Sequence, residues 1–395
     1  MSLPPITMNT IQSIDEKIAK SDYAIDSATD AGLDLSLPIL QTGQEVRSLM
    51  EEYRLYNPEP IRDPAMFEEI MRRYALDPKQ AVRMLPYGDR HNIGFETRRL
   101  YWWLAWNQKT ASFRSPGELA PVSTDEAHKE AFPVTRIISF GDCNVACPYC
   151  KRDCQFVGDD GKPILALPIQ LNEVGQLCEG AASRKEIIRF SGGDPVMFPK
   201  QTLALAEYFQ KSRGAKVSIA HNGTGPAWVK KMLPYLSSAA IDIKGTPETI
   251  GEVMGIAPER GARMYDLSCE TQGLVSHAGI PLNIRTPVFG HTQMEDLARI
   301  ADDIRQVNDP RFTFWELRLY KPVDGIAWEA PHPEHIQEMA IKISQRIPDL
   351  WIGVRAKWNI SGMLYIAGGK VVEVGEWGKD SVNKEQGSGN IRMDT

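Results

Sequence analysis

From Val134 onward, short apolar runs of strand length alternate with longer segments whose apolar residues recur at three- and four-residue steps. Thr135–Phe140, Glu186–Ser191, Lys216–His221, Ala239–Lys244, Pro281–Phe289 and Phe312–Tyr320 read as strands buried on both faces. Gln201–Gln210, Pro226–Leu236, Met264–His277, Met294–Val307 and Pro333–Ile347 carry helical spacing between and after them. This α/β order predicts a parallel sheet of six strand–helix units, three-quarters of an eight-stranded barrel. Leu350–Val354 predicts a further strand, and Met363–Val374, around Ala367-Gly368-Gly369-Lys370, a terminal hairpin.

The chain before residue 130 has a different texture. Phe67, Ile70, Met71 and Tyr74 recur at helical steps behind Asp63-Pro64, a suitable helix start. The stretch Glu96–Trp106 gathers Leu100, Trp102, Trp103, Leu104 and Trp106 and reads as a well-buried helix. No strand alternation stands out here, and a polar connector, Lys109–Glu130, marks a domain boundary. The expected organisation is a mainly helical N-terminal extension over 1–130 that binds or caps substrate, a barrel over 131–354, and a C-terminal hairpin with a polar tail over 355–395.

With 395 residues, 42% hydrophobic and 24% charged, the composition is that of a folded protein. A net charge of −6 and the lack of a basic tract argue against nucleic acid as a partner. No apolar run approaches the ~18 residues of a membrane span, and the N-terminus lacks a signal-peptide layout, so the expected location is the cytoplasm. Of six cysteines, Cys143, Cys147, Cys150 and Cys154 fall within twelve positions, which in a chain this size reads as metal chemistry rather than a disulfide scaffold.

Those cysteines follow the first strand, at the end where parallel α/β folds collect function. Cys143, Cys147 and Cys150 are spaced Cys-x3-Cys-x2-Cys, a loop that can hold three corners of a cubic iron–sulfur cluster and leave one iron open. The rival reading has Cys154 closing the set, as a saturated electron-transfer cluster or a zinc site. Cys178 and Cys269 fall in predicted helices and read as core residues.

At these residues the chain resembles the radical S-adenosylmethionine (SAM) enzymes, whose signature is Cys-x3-Cys-x-aromatic-Cys after the first strand of a partial TIM barrel (β/α)6. Tyr149 fills the aromatic position. Ser191-Gly192-Gly193-Asp194-Pro195 resembles the family's Gly-Gly-Glu-Pro segment, with aspartate for glutamate. His221-Asn222-Gly223-Thr224, Asp242-Ile243-Lys244 and Arg285-Thr286-Pro287-Val288-Phe289-Gly290 are most similar to stretches in the activating enzymes of glycyl-radical proteins.

The resemblance implies a [4Fe-4S] cluster on Cys143, Cys147 and Cys150 and SAM on its open iron, cleaved reductively to a 5′-deoxyadenosyl radical. It implies SAM contacts from Tyr149 (adenine), Gly192 and Gly193 (amino group), Asp194, Asn222 (ribose), Lys244 (carboxylate) and Arg285 (ribose or carboxylate). Cys154 is left as a hydrogen-atom donor, a substrate-anchoring thiol or a structural residue, and His291 as facing the substrate side. Three functions follow as expectations. The first is hydrogen abstraction from a small-molecule or peptide substrate, with an electron donor such as flavodoxin or ferredoxin. The second is an activase acting on a glycyl-radical partner protein, and the third a non-enzymatic electron carrier.

Overall fold

The computed structural model describes residues 58–84, 106–107, 112–113, 135–150, 167–322, 325–355 and 363–372. Within them the elements follow in order: α1 (Pro64–Arg73), β1 (Ala81–Met84), β2 (Trp106–Asn107), β3 (Ser112–Phe113), β4 (Thr135–Phe140), β5 (Leu167–Gln170), α2 (Leu171–Ser183) and β6 (Ile187–Gly192). There follow α3 (Pro199–Arg213), β7 (Val217–His221), α4 (Pro226–Met232), β8 (Leu236–Asp242), α5 (Ile250–Met254), α6 (Pro258–His277), β9 (Leu282–Val288) and α7 (Met294–Val307). The chain continues through β10 (Thr313–Leu319), α8 (Pro333–Arg346), β11 (Trp351–Arg355), β12 (Met363–Ala367) and β13 (Lys370–Val372).

β4, β6, β7, β8, β9, β10 and β11 pair in chain order, and every pairing among them is parallel. The sheet extends antiparallel through β12 and β13 at one end and through β1 and β5 at the other, and does not close. Six of the parallel strands, β4 to β10, nevertheless end around one cavity, so the sheet is curled into a partial barrel. No helix among the described residues is long and apolar enough to cross a membrane.

The outer face of the sheet is apolar. Phe140 stacks on Phe198 at 4.9 Å and meets Phe190 edge-on at 6.1 Å, and all three rings are buried. The inner face is polar: Arg189, Ser218, Ser238, Asn283 and Glu316 are buried there, with Ser218 hydroxyl-bonded to both Arg189 and Ser238. Strands apolar on one face and polar on the other would alternate, but Ile137, Ala220 and Ala240 interrupt the polar side, which is why these runs read as buried on both faces.

Two expectations for the first third need correction. Ala81–Met84 is a strand, not helix or loop; Val82 and Met84 are buried and pair between β4 and β5. Four residues give too short a period-two pattern to separate from a loop. Trp106, expected to finish a helix, lies in a two-residue strand paired with Ser112–Phe113, while residues 96–105 and nearly all the connector lie outside the described residues. α1 does form where predicted, capped by Asp63 accepting from the Met66 N–H at 3.0 Å, with Pro64 at its first position. Its Phe67 meets Tyr208 edge-on at 5.1 Å, so α1 shares the barrel's core rather than standing apart.

Candidate functional site

The cysteine loop, residues 141–150, is clamped at three points by three different parts of the chain. At its start, the Gly141 N–H donates to the Arg83 carbonyl of β1 at 2.8 Å, and the Arg83 guanidinium lies 3.8 Å from Asp142. In the middle, Asn144 is fully buried: its Nδ2 donates to Thr224 Oγ1 at 2.7 Å, and its Oδ1 accepts from Asn222 Nδ2 at 2.6 Å. Further on, the Ala146 N–H donates to the Met254 carbonyl at the end of α5, at 3.0 Å. So held, Cys143, Cys147 and Cys150 all line one cavity of about 290 Å³ at the carboxyl ends of the strands. Cys147 is buried and the other two are partly exposed. Cys154 lies outside the described residues.

Across from the loop, β6 ends in Gly192-Gly193. A Cβ on Gly192 would lie 2.2 Å from the Phe140 backbone, and one on Gly193 would lie 2.1 Å from the Asp142 carbonyl oxygen. Gly192 also has φ +116°, and the Gly193 N–H donates to the Phe140 carbonyl at 2.6 Å. The glycines thus let β6 press directly on the root of the cysteine loop.

Asp194 is 1% exposed. Its Oδ1 accepts from the Val196 N–H at 2.9 Å and faces His221 Nδ1 at 2.7 Å; its Oδ2 accepts from the Asn222 N–H at 2.8 Å. His221 Nε2 accepts from the Gly225 N–H at 3.0 Å, so the ring proton sits on Nδ1 and is donated to Asp194. Asp194 therefore ties β6 to β7, with its carboxylate turned to protein donors. Asn222 lines the cavity with its amide turned the same way: Nδ2 also lies 4.0 Å from Cys143 Sγ, and Oδ1 accepts from Thr224.

The opposite wall is charged. Asp242 accepts from Lys244 Nζ at 2.8 Å and from Arg285 Nε at 2.5 Å. Burial would raise the Asp242 pKa, but Arg285, Lys244 and Arg318 outweigh it and hold the carboxyl well below its ordinary value. Burial is the largest single influence on Lys244 and lowers its pKa, but the Asp242 carboxylate, joined by Tyr149 and Cys147, together outweighs it, so the ammonium stays charged. One strand over, Arg318 Nε pairs with fully buried Glu316 at 3.0 Å, and Glu316 also accepts from Asn283.

An aromatic wall closes this side. Tyr149 meets Phe289 at 5.4 Å and Tyr320 at 6.1 Å edge-on and lies tilted against Trp328 at 5.9 Å, and the Lys244 ammonium lies 6.0 Å from the Tyr149 ring centre. Burial pushes the Tyr149 hydroxyl pKa upward, so this phenol stays protonated. His291 is exposed, its ring parallel to Phe289 at 5.4 Å.

Residues 137–304 match the Radical SAM superfamily. They form a radical SAM domain. The chain is thus an enzyme, and the cofactors of its domain are a [4Fe-4S] cluster and SAM. No curated protein matches the chain. Among solved structures, a radical SAM methyltransferase from Sphaerobacter thermophilus is 12% identical, with a TM-score of 0.43, over 60% of this chain and 70% of that one. Streptococcus suis SuiB bound to S-adenosylmethionine is 13% identical, with a TM-score of 0.41, over 59% and 57%.

Within the radical SAM domain, all the described residues singled out in sequence as cluster or SAM contacts line the one cavity: Cys143, Cys147, Cys150, Tyr149, Gly192, Gly193, Asp194, Asn222 and Lys244, with Arg285. Cys178 is core, as expected, whereas Cys269 is only half buried on α6. Sequence reasoning missed Asn144, Arg318, Tyr320 and Trp328. Arg318 had a visible signal: Glu316 and Arg318, two apart on an otherwise apolar strand, must share the inner face. Asn144 had none.

The donor set fits the cluster. Three thiols on one clamped loop open into a shared cavity, as the three protein corners of a cubic iron–sulfur cluster require.

Proposed function

We propose that this chain abstracts hydrogen from a small-molecule or peptide substrate, with Cys143, Cys147 and Cys150 holding the cluster and the strand ends facing them holding SAM. The observation that carries the reading is the opening of all three cysteines into the cavity that the β6, β7 and β8 ends line. When bound, the cluster and SAM supply the reductive cleavage and the 5′-deoxyadenosyl radical.

The rest falls to this chain's residues. The Gly192-Gly193 backbone, bare of side chains, takes the amino group of SAM. Lys244, kept charged by Asp242, takes the methionine carboxylate. Tyr149, set in the aromatic wall, takes the adenine. Asn222 acts on the loop, its amide directed at Asn144 and toward Cys143, where a weak N–H···S contact tunes a thiolate ligand. Asp194 braces the β6 and β7 ends instead of reaching SAM itself, which fits a side chain one methylene shorter than the family's glutamate. The N-terminal third contributes β1, whose Arg83 holds the root of the loop.

The test is anaerobic reconstitution with iron and sulfide, then SAM and dithionite. 5′-Deoxyadenosine forms in the wild-type protein; none above background overturns the reading. The activase alternative rests on Asp242-Ile243-Lys244 and the Arg285–Gly290 stretch. It predicts a glycyl-radical signal by electron paramagnetic resonance when a glycyl-radical protein encoded beside this chain is added.

A further inference from the structure

The cavity's charge is lopsided. Around the barrel interior Arg189, Lys244, Arg285, Arg318 and Lys321 face Asp194, Asp242 and Glu316, five positive groups against three negative. Asp242 is shared by Lys244 and Arg285, and Glu316 pairs with Arg318. Arg285 and Arg318 stand on neighbouring strands, diagonal across the β9–β10 ladder, because Arg285 pairs with Glu316 and Pro287 with Arg318. The two guanidinium groups repel each other, and burial adds to the cost of Arg285's charge. Cofactors would not correct the imbalance. Three thiolates on an oxidised [4Fe-4S] core leave one negative charge, and SAM, with its sulfonium, ammonium and carboxylate, brings one positive.

The excess has a direction. Lys244 leans toward Tyr149 on the cysteine loop, and Arg285 is braced by Asp242. Arg318 lies on the far side, its side chain 20% exposed into the cavity, with exposed Lys321 at the rim. Between them Tyr320 joins Phe289 and Trp328, at 5.2 Å and 6.2 Å, in the aromatic wall.

We propose that the substrate carries an anionic group, a carboxylate or a phosphate, which docks on Arg318 and Lys321, while its apolar body lies along Tyr320, the cavity face of the ring cluster that Phe289 and Trp328 back. Arg318, whose Nε and Nη2 face Glu316, adds a guanidinium charge that both anions match, and Lys321 a point charge at the entrance. The assignment to a substrate rests on the proposed radical SAM function.

The test is calorimetric titration of the reconstituted full chain, with SAM present, using succinate, inorganic phosphate and the neutral diamide succinamide. Succinate or phosphate binds, whichever identifies the anion, and succinamide does not. Arg318→Gln weakens binding about tenfold or more, the loss of one charge-assisted hydrogen bond pair, and Arg318→Lys recovers part of it. Because Arg318→Gln removes a cation from buried Glu316 and so tests stability as well as binding, Lys321→Gln at the exposed rim is the second variant, weakening binding about threefold. No anion binding to wild type, or equal binding by wild type and both variants, overturns the proposal. 5′-Deoxyadenosine formation, measured on the same samples, separates the two readings. SAM cleavage without anion binding sinks this inference alone. Arg318-dependent anion binding without SAM cleavage sinks the radical function and keeps the anion site.

Discussion

Asp194, buried just past the end of β6, and Asp242, partly buried at the end of β8, stand two strands apart and live in opposite environments. Asp194 is satisfied by two backbone N–H groups and a neutral imidazole, whereas Asp242 is wedged between an ammonium and a guanidinium. The same contrast runs through the site. On the β4–β7 side, Asn144, Asn222, Thr224, His221 and the two glycines form a hydrogen-bonded network that points inward at the protein. On the β8–β10 side, the cations Lys244, Arg285, Arg318 and Lys321 gather round Asp242 and Glu316, and the rings of Tyr149 and Tyr320 line the wall. The first side is tied together by hydrogen bonds within the protein and fixes geometry. The second is electrostatically unfinished and suits binding.

The largest expected break falls on the rigid side. Replacing Cys143, Cys147 or Cys150 with alanine abolishes the cluster's visible absorbance and all 5′-deoxyadenosine formation, because three ligands are the minimum the loop offers. Cys154→Ala keeps the absorbance near wild type. If that variant also loses it, the site has four ligands and no open iron.

Next comes the glycine pair. In Gly193→Ala the new methyl group must displace the Asp142 backbone, 2.1 Å away, at a point fixed by the Arg83 and Asn144 clamps. The expected cost is about 3 kcal/mol or more of stability, or a cysteine loop pushed out of place. Urea unfolding and cluster yield together distinguish the outcomes. Wild-type values for both would show that β6 does not press on the loop.

Why some of this was legible and some was not follows from these residues. The β6, β7 and β9 boundaries fall within a residue of the expected ones, because apolar runs bounded by Gly, Asn and Pro report strands directly. The cysteines and glycines were legible because their chemistry depends on residue type and spacing. The Asp194–His221 pair was not: which way a carboxylate turns depends on a backbone N–H twenty-eight positions away, at Asn222. The charge excess lay hidden for a related reason. Arg189, Asp242, Arg285 and Arg318 are far apart in sequence, and only the curl of the sheet gathers them. β1 escaped because four residues between loops carry too little pattern.

The charged side can be broken by pH as well as by mutation, and there the effect is smaller. Asp242 has its pKa held below the ordinary 3.8, burial opposing the shift and Arg285, Lys244 and Arg318 driving it. A carboxylate with a depressed folded-state pKa contributes stability above its unfolded pKa and loses it as pH falls toward the folded value. Asp242→Asn therefore destabilises the cluster-free chain at pH 7 by roughly 2 kcal/mol. This is less than the 3–5 kcal/mol of a broken fully buried pair, because the Asp242 side chain keeps 19% exposure. The gap between wild type and variant in urea stays constant from about pH 7 to 5 and narrows below about pH 4, as the wild-type carboxylate takes up its proton. Asp194→Asn, on the other side, gives a different signature. It leaves the charged wall intact, but one amide orientation cannot accept from Val196, His221 and Asn222 as the carboxylate does, so a donor is lost or a lone pair crowded. A gap for Asp242→Asn that did not narrow in acid would show that its carboxylate holds the wall by shape and hydrogen bonding rather than by charge, and the two sides would then be built alike.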